Sequence, residues 1–356
     1  MIKKKLQKIY KSILIKLFLH YYGSIKLGDK KIKKNKVILK YRNKNFIYNI
    51  YNIKNSRIFT DNLYNVSFIK ENFLLKNISN QQHASGHYLS ARSNAVLKTG
   101  TPKIIKKIKG KVLSLIQGAS GNNYYHWLYD ILPKLYLALI NRKRFFDYYY
   151  FPEIKNSYQK ETLKFLKINE NKIIHSGQFK HAQVKDLYII DHPYYRQGSW
   201  SKKFNSLPEW IIYFLRKTFL NYKKKFKCKQ KIFIDRSDTN NQHNQIINNN
   251  YLISFLKKRG FESYKLSELS FSQQIYLFYN AKIIIGPHGA GFANICFCKK
   301  NTKIIDLKSR HFKKIKLYKR ISKINKIKYL EIISPSNNQK KITINFKTIK
   351  KILKNI

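Results

Sequence analysis

The chain is poor in acidic residues and in cysteine. Its 356 residues include 17 Asp and Glu against 73 Lys and Arg, which gives a formal net charge of +56, and only three cysteines. A sparse, odd number of cysteines excludes a disulfide framework and is typical of a reducing compartment. Cys296 and Cys298 lack the second cysteine pair that would complete a zinc site, so we interpret them as buried thiols.

A long apolar run is also missing. The apolar stretch near the N-terminus is interrupted by Lys16 and is too short to span a bilayer, and no small-residue cleavage site follows it. Ile9, Ile13 and Leu17 recur at helical spacing, with lysines between them. This pattern predicts a basic amphipathic helix that either lies on an anionic membrane surface or packs on the domain as an ordinary first helix.

The positive charge does not by itself indicate a nucleic-acid partner. Only 11 of the 73 basic residues are arginine, whereas base readout and bidentate phosphate recognition favour the planar arginine side chain. The lysines are spread over the whole length, which favours compositional bias over a selected surface. Such a charge still attracts anionic membranes and anionic small molecules. We therefore predict no specific nucleic-acid partner.

Hydrophobic periodicity predicts an α/β fold in two domains. Hydrophobic residues make up 43% of the chain, and its length suffices for two cores. Short β-prone runs occupy residues 30–80, and helices are predicted over 124–140, 157–168 and 206–226, with strands between them. From residue 231 a β-α-β-α-β-α-β run is typical of a parallel, Rossmann-like sheet. The boundary is predicted near residues 200–228.

Residues 283–297, IIIGPHGAGFANICF, combine a continuously apolar strand with a glycine-rich turn and the start of a helix. Glycine tolerates positive φ and lets a ligand approach the backbone, and the first turn of a helix offers free N–H groups to an anion. His288 in the turn can donate to a phosphate, and Asn294 lies about one turn into the helix. The spacing matches neither a GxGxxG nor a Walker loop, so a phosphate site and a purely structural turn both stay open.

Arg236 follows the strand KIFID, at the carboxyl end where open α/β sheets bind ligands. It would face the same crevice as His288; a surface ion pair is the alternative. No Asp-x-Asp motif occurs in the chain. A diphosphate bound at this edge would therefore be balanced by arginine, histidine, lysine and helix dipoles instead of a chelated metal.

In the N-terminal half, GNNYYHWLYDILPKL at 121–135 places His126 and Asp130 at i and i+4, on one face at the start of a helix. Trp127 belongs to the neighbouring apolar face. A His–Asp pair beside a Gly/Asn loop can act as a general base for a hydroxyl group or can bind a sugar. The alternative is a helix terminus whose His and Asp satisfy only local backbone groups.

Four blocks, in this order, resemble the family 61 glycosyltransferases, the DUF563 or capsular-polysaccharide-type group: GNNYYHWLYDILPKL, IDRS, IINNNYLISFLKKRGF and SFSQQIYLFYNAKIIIGPHGAGFANICF. The resemblance implies a GT-B fold, with two Rossmann-like domains facing each other across a cleft: an acceptor-side domain, 1–205, and a nucleotide-sugar-binding domain, 206–356. It also implies an inverting transfer from a nucleotide-sugar to a glycan or other hydroxyl acceptor, in surface polysaccharide biosynthesis, with no required metal or cofactor.

The motifs and the resemblance together predict three sets of site residues. Catalysis is assigned to His126 and Asp130, donor binding to Arg236, Gly286, His288, Gly289, Ala290, Gly291 and Asn294, with Asn248 and Gln274 as further donor-side candidates, and the acceptor side to Asn123 and Trp127.

The chain departs from the family pattern around its predicted donor site. Asp235 precedes Arg236 where the family has serine, and Asn249 replaces the acidic residue expected after Asn248, with no second arginine nearby. A degenerate member that keeps the fold without activity is therefore one alternative. Another is a non-enzymatic basic protein that coats anionic polymers, with steep salt dependence of binding. We expect the protein in the cytoplasm, on the inner face of the membrane if its first helix binds lipid.

Overall fold

The computed structural model describes residues 2–28, 30, 32–60, 66–79, 81–82, 88–116, 123–140, 145–194, 206–239 and 244–354. Residues 117–122, which include most of the predicted Gly/Asn loop before His126, and residues 240–243 lie outside the described ranges. The chain forms two compact units. Unit 1 comprises Met1–Gln159 and Lys167–Trp200, and unit 2 comprises Lys160–Leu166 and Ser201–Ile356.

The described residues contain sixteen strands. They are Lys26–Gly28 (β1), Lys33–Tyr41 (β2), Lys44–Phe59 (β3), Ser67–Lys70 (β4), Phe73–Leu75 (β5), Gln81–Gln82 (β6), Tyr88–Leu89 (β7), Lys106–Ser114 (β8), Tyr148–Phe151 (β9), Ile173–His175 (β10), His181–Ile190 (β11), Lys231–Asp235 (β12), Glu262–Lys265 (β13), Ile283–Pro287 (β14), Lys303–Ser309 (β15) and Lys328–Ser334 (β16).

The same residues contain α-helices, one π-helical turn and short 3-10 helices. The α-helices are Ile2–Tyr22, Val96–Thr99, Tyr124–His126, Leu132–Leu139, Ser157–Phe165, Glu209–Phe219, Asn249–Lys257, Phe271–Asn280, Leu317–Asn325 and Phe346–Lys354; the π-helical turn is Trp127–Ile131; and the 3-10 helices are Ala91–Ser93, Glu170–Lys172, Leu220–Tyr222, Leu266–Glu268, Ala290–Phe297 and Arg310–Phe312. No helix among the described residues is long and apolar enough to cross a membrane.

Unit 1 is built on a mixed sheet of nine strands. Eight of them follow the order β1-β5-β4-β3-β11-β8-β9-β10, and β2 pairs with β3. The strands β11, β8, β9 and β10 are parallel neighbours, whereas β3 runs antiparallel to β2, β4 and β11. Its core is aliphatic and includes Ile58, Val112, Val184 and Leu187. The β-prone runs predicted within residues 30–80 are therefore strands.

Unit 2 is built on five parallel strands in the order β13-β12-β14-β15-β16. The prediction of a parallel sheet with intervening helices is confirmed. Numbered within the unit, the order is 2-1-3-4-5, which is the flavodoxin-like arrangement. In this order the chain reverses its direction of winding between the first and third strands, β12 and β14. Ligands of such sheets bind outside the carboxyl ends of the strands that flank this switch point.

Some predicted helices differ from the observed ones at their ends or in their type. The helix predicted over 206–226 ends at Phe219, because the lysine-rich stretch that follows has no apolar face to bury. The segment Ala290–Phe297, predicted as the start of an α-helix, is a 3-10 helix. The helix predicted over 124–140 contains the π-helical turn. The N-cap of the helix Phe271–Asn280 is Ser270, whose side chain accepts from the backbone N–H of Gln273.

A short segment, Lys160–Leu166, belongs to unit 2 although its neighbours in sequence belong to unit 1. The carboxylate of Glu161 accepts hydrogen bonds from the backbone N–H groups of Phe271, at 2.9 Å, and Ser272, at 3.3 Å. These groups begin the helix Phe271–Asn280, whose first N–H groups have no partner within the helix itself. The ring of Phe165 stacks on Tyr222 with 4.0 Å between centroids. The segment therefore caps one helix of unit 2 and packs against another part of it.

Candidate functional site

Arg236 and His288 lie together at the switch point of the unit 2 sheet. Arg236 directly follows β12 and His288 directly follows β14, and these strands are hydrogen-bonded neighbours. The Nη1 atom of Arg236 donates to the backbone oxygen of His288 at 2.6 Å. Burial lowers the pKa of Arg236, but an arginine keeps its positive charge in proteins. The carboxyl edge of this sheet thus carries a partly buried guanidinium beside an imidazole.

The His288 ring is held by Asp306 on β15. Its Nδ1 atom lies 2.7 Å from Oδ2 of Asp306, whose side chain is completely buried. Asp306 also accepts a hydrogen bond from the hydroxyl of Tyr329 at 2.5 Å, and Nζ of Lys308 lies 3.9 Å away. Burial raises the pKa of Asp306, but His288, Lys308 and Tyr329 together outweigh it and hold that pKa below its usual value. A carboxylate therefore faces the inner nitrogen of His288.

Tyr318 also holds the turn after β14. Its hydroxyl donates to the backbone oxygen of Gly289 at 2.6 Å. Its ring lies 5.0 Å from the ring of His288 and 5.7 Å from that of Phe292, measured between centroids. Together with the bond from Arg236 to His288, this contact holds two successive carbonyl groups of the turn. The turn is therefore fixed by side chains from separate elements.

The glycines of the turn are needed for space. Of the two reasons given from the sequence, a left-handed φ is wrong for Gly286, Gly289 and Gly291, because none of them has a φ between +20° and +160°. A Cβ at Gly289 would lie 2.6 Å from Cζ of Arg236, and a Cβ at Gly286 would lie 2.9 Å from Cβ of Ile234. At Gly291 it would meet only the end of a leucine side chain, Cδ1 of Leu266, at 2.7 Å. The absence of a side chain at Gly289 thus makes room for the guanidinium.

Three amides predicted on the donor side are hydrogen-bonded within the protein. Asn294 is fully buried and donates to Oε1 of Gln274 at 3.0 Å. The Nε2 atom of Gln274 donates to the backbone oxygens of Leu266 and Leu269. Asn248 exchanges two hydrogen bonds with the backbone of Ile344, at 2.9 and 3.0 Å. These bonds hold the three amides in place within unit 2, whereas Ala290, at the start of the 3-10 helix, is partly exposed.

Asn249, which stands where the family pattern has an acidic residue, contacts the residue before Arg236. Its Nδ2 atom donates to Oδ1 of Asp235 at 3.0 Å. Asp235 is buried and also accepts from the backbone N–H and the hydroxyl of Ser237. The amide at 249 and the carboxylate at 235 therefore form a pair that positions the end of β12.

In unit 1, His126 and Asp130 form the predicted pair. The Nδ1 atom of His126 lies 2.7 Å from Oδ2 of Asp130. The other carboxylate oxygen accepts from the hydroxyl of Tyr194 at 2.5 Å, and that hydroxyl lies 2.8 Å from the hydroxyl of Tyr125. His126 is 4% exposed and Asp130 is 0% exposed. The carboxylate thus orients the imidazole from inside the unit, and the ring nitrogen Nε2 is the one that can take a proton.

The helix that carries this pair is irregular. Its residues Trp127–Ile131 form a π-helical turn, which ends just before Pro133. Proline has no N–H group to continue an α-helical ladder, and π-helical turns are frequent at functional sites. Asn123 precedes the helix, and its side-chain oxygen accepts from the backbone N–H of His126 at 3.2 Å. Trp127, predicted on the acceptor side, is completely buried and packs against Phe151.

Lys134 follows one helical turn after Asp130 and is 4% exposed. Burial lowers its pKa to about 8, against the opposing effect of Asp130 and Asp191, which raise it. This lysine therefore loses its proton more readily than an exposed lysine does, and its charge interacts with Asp130 of the His–Asp pair. In the part of the chain that the structure describes, no group of three or more His, Cys, Asp or Glu side chains is placed to hold a metal ion.

Four residues of these two sites were not predicted from the sequence: Asp306, Lys134, Tyr318 and Tyr194. For Asp306 and Lys134 a signal was present: each is a charged residue with apolar residues on both sides, and such charges are almost never fully buried without a partner. The two tyrosines gave no such signal among 27 tyrosines. Their roles follow from tertiary contacts alone.

Comparison with known proteins gave a family match that covers both the His–Asp pair of unit 1 and the turn with His288 in unit 2. The sequence model of the family described as Glycosyltransferase 61 matches residues 124–305, just over half of the chain. The matched stretch begins at the helix of the His–Asp pair and ends within β15, so it includes β12, β14 and the turn with His288. No curated protein matches the chain.

Proposed function

Because the chain belongs to the glycosyltransferase 61 family, we propose that it transfers a sugar from a nucleotide-sugar to a hydroxyl group of a glycan, with inversion and without a metal ion. The enzyme class, a glycosyltransferase, follows from the family. The donor class is supported by one observation: a guanidinium and an imidazole share the switch point of a parallel sheet. This is the edge at which such sheets bind nucleotides.

The diphosphate of the donor would lie over the ends of β12 and β14. Arg236, His288 and the backbone of residues 289–291 would contact its oxygens. The positive charge of the guanidinium, together with a hydrogen bond from the imidazole, would stabilise the departing nucleotide diphosphate as negative charge develops on it. Asp306 supports this role, because its carboxylate lies 2.7 Å from Nδ1 and fixes the orientation of the ring.

The acceptor hydroxyl would be deprotonated by His126. Asp130 is completely buried and is held by Tyr194, so we assign it to orienting His126 and stabilising its charged form. A positioned histidine of this kind acts as a general base. The deprotonated oxygen attacks the anomeric carbon from the face opposite the diphosphate, the bond to the diphosphate breaks, and the configuration inverts. Asn123 would hold the start of the helix on the acceptor side.

The remaining proposals follow the family resemblance. The two units would form a GT-B arrangement, with the acceptor bound by unit 1 and the donor by unit 2, and the product would be a surface polysaccharide. We place the reaction in the cytoplasm. The three cysteines, Cys228, Cys296 and Cys298, are free thiols, and this supports a reducing compartment.

The donor site is tested by nucleotide binding. A thermal-shift screen against UDP-, GDP- and CMP-sugars should give a selective rise in melting temperature. Arg236→Ala and His288→Ala should each weaken binding of the selected donor by about ten- to a hundredfold in calorimetry, since a hydrogen bond to a charged group contributes roughly 1.5–3 kcal/mol. Arg92→Ala, which removes an exposed arginine, is the matched control. Wild-type affinity in both site variants would remove the two residues from the donor site.

The acceptor site is tested by turnover. Asp130→Asn should lower kcat and leave the affinity for the donor unchanged, because the amide no longer stabilises a charged His126. Tyr194→Phe removes a different partner of Asp130 and leaves the His–Asp pair intact, so its effect on kcat should be smaller. If the two variants have equal turnover, the carboxylate has only a structural role.

A further inference from the structure

The N-terminal helix Ile2–Tyr22 has two apolar faces. One of them packs on unit 1: Leu14, Ile15, Phe18, Leu19 and Tyr22 are partly buried. The hydroxyl of Tyr22 accepts from the backbone N–H of Ile105 at 3.3 Å, and its ring makes an edge contact with His181 at 5.2 Å. The C-terminal half of the helix is therefore anchored on the unit.

The second face is exposed. It consists of Leu6, Ile9, Tyr10, Ile13, Leu17 and Tyr21, with exposures between 47% and 72%. Their spacing of three and four residues places them along one side of the helix, opposite the packed residues. In addition, residues 5–13 are all exposed. The first half of the helix thus presents a continuous apolar stripe that no described residue covers.

The charges beside this stripe are of one sign. Lys5, Lys8, Lys11 and Lys16 are exposed on the same helix, and the helix contains no acidic residue. At helical spacing, Lys5 and Lys16 flank the stripe, whereas Lys8 and Lys11 lie on the side away from it. A second copy of the chain would bring two sets of lysines together without compensating carboxylates. An anionic lipid surface compensates the lysines and accepts the apolar side chains at once.

We propose that the exposed face of the helix Ile2–Tyr22 is a docking surface for an anionic membrane. The helix would lie in the plane of the interface, with Ile9 and Ile13 among the acyl chains and the lysines at the headgroups. Both alternatives left open by the sequence then hold for one helix, because one face packs on the protein and the other faces lipid. This inference does not depend on the proposed catalytic residues.

The test uses the full chain and vesicles of phosphatidylcholine with or without phosphatidylglycerol, in a sedimentation assay. We expect binding to the anionic vesicles, weaker binding to the neutral ones, and release by salt, because surface charges are screened. Ile9→Gln/Ile13→Gln should lower the partition coefficient at least about tenfold. The matched control is Ile38→Gln/Ile47→Gln on the β2–β3 hairpin, whose isoleucines are exposed to similar degrees: 52% and 47% against 49% and 59%.

A second pair of variants tests the charge. Lys5→Gln/Lys16→Gln should weaken binding to anionic vesicles by about fivefold for each lysine near the surface. Lys36→Gln/Lys40→Gln, which removes the same charge from β2, should have little effect. Circular dichroism and melting temperature verify that every variant is folded, and the thermal shift with nucleotide-sugars should be unchanged in all of them.

Three results would overturn the proposal. The first is no vesicle binding by the wild-type protein. The second is equal loss of binding in the helix variants and in their hairpin controls, which would point to bulk hydrophobicity or net charge. The third is a wild-type dimer in light scattering, without lipid, that Ile9→Gln/Ile13→Gln converts to a monomer. That last outcome would make the stripe a contact between two copies.

Discussion

Gly289→Ala is the sharpest test of the donor site, because the added methyl group acts on Arg236 without changing any charge. The new Cβ would lie 2.6 Å from Cζ, 2.6 Å from Nη1 and 2.8 Å from Nε of Arg236. Carbon atoms in contact prefer about 3.5–4.0 Å, so the guanidinium must move by about 1 Å. The hydrogen bond from Nη1 to the backbone of His288, 2.6 Å long, would then be lost or misaligned.

The expected consequence is weaker binding of the nucleotide diphosphate. Loss of one hydrogen bond from a charged group corresponds to roughly 1.5–3 kcal/mol, which is about ten- to a hundredfold in Kd. Backbone strain does not contribute, since the φ angle of Gly289 is 175°, an extended value that alanine also adopts.

The matched control is Gly291→Ala, two residues further along the same segment. Its Cβ would meet Cδ1 of Leu266 at 2.7 Å, and the end of a leucine side chain can rotate away. Both variants lose the same glycine flexibility in the unfolded state, so their difference isolates the effect on Arg236. Calorimetry with the donor selected by thermal shift measures it. If Gly289→Ala binds as tightly as Gly291→Ala, Arg236 does not hold the diphosphate.

Three further predictions concern buried charges. Asp306→Asn removes the charge facing His288, so donor affinity in calorimetry should fall by about tenfold or more; an unchanged Kd would contradict that role. His181 is 1% exposed, and burial lowers its pKa to about 4. The unfolded chain therefore binds a proton at His181 near pH 6.5, whereas the folded chain binds it only near pH 4. Stability should fall, as pH drops from 6.5 to 4, by on the order of 3 kcal/mol in urea titrations, and His181→Gln should flatten this slope. Burial lowers the pKa of Lys134 to about 8, so the charged lysine costs stability at neutral pH. Lys134→Met should raise the free energy of unfolding at pH 7 by up to about 3 kcal/mol, and the melting temperature should rise with it. Turnover should fall. An unchanged melting temperature would show that burial of the charged lysine does not destabilise the protein.

The parallel sheet of unit 2 was predictable because its three central strands, β12, β14 and β15, have no exposed face. The strands β12 and β14 are nearly continuous apolar runs, as both faces of a parallel sheet are covered. Turn and cap residues marked the ends of the helices between them. The π-helical turn at Trp127–Ile131 was not predictable from periodicity, since one extra residue per turn hardly changes the apolar pattern over a short helix.

The site was predictable only where sequence position fixes spatial position. Arg236 and His288 follow neighbouring strands, so the sheet itself brings them together. Asp306 reaches His288 because β14 and β15 pair in a register that sets Gly286 opposite Asp306, and the sequence does not contain that register. The amides of Asn248, Gln274 and Asn294 were predicted from their residue type to contact the nucleotide-sugar. Their hydrogen bonds within the protein, to backbone and side-chain groups brought close by folding, could not be predicted from the sequence.

Because Lys160–Leu166 belongs to unit 2, a fragment cut between the two units lacks contacts that the whole chain makes. A fragment beginning at residue 206 would lack Glu161, and the N–H groups of Phe271 and Ser272 would lose their acceptor. A fragment ending before 206 would carry the ring of Phe165 without Tyr222 to cover it. During synthesis, Glu161 can cap the helix Phe271–Asn280 only after more than a hundred further residues have been added. Unit 2 is therefore built from two separate parts of the chain, and a fragment cut near residue 206 is expected to be less stable than the same residues in the whole protein.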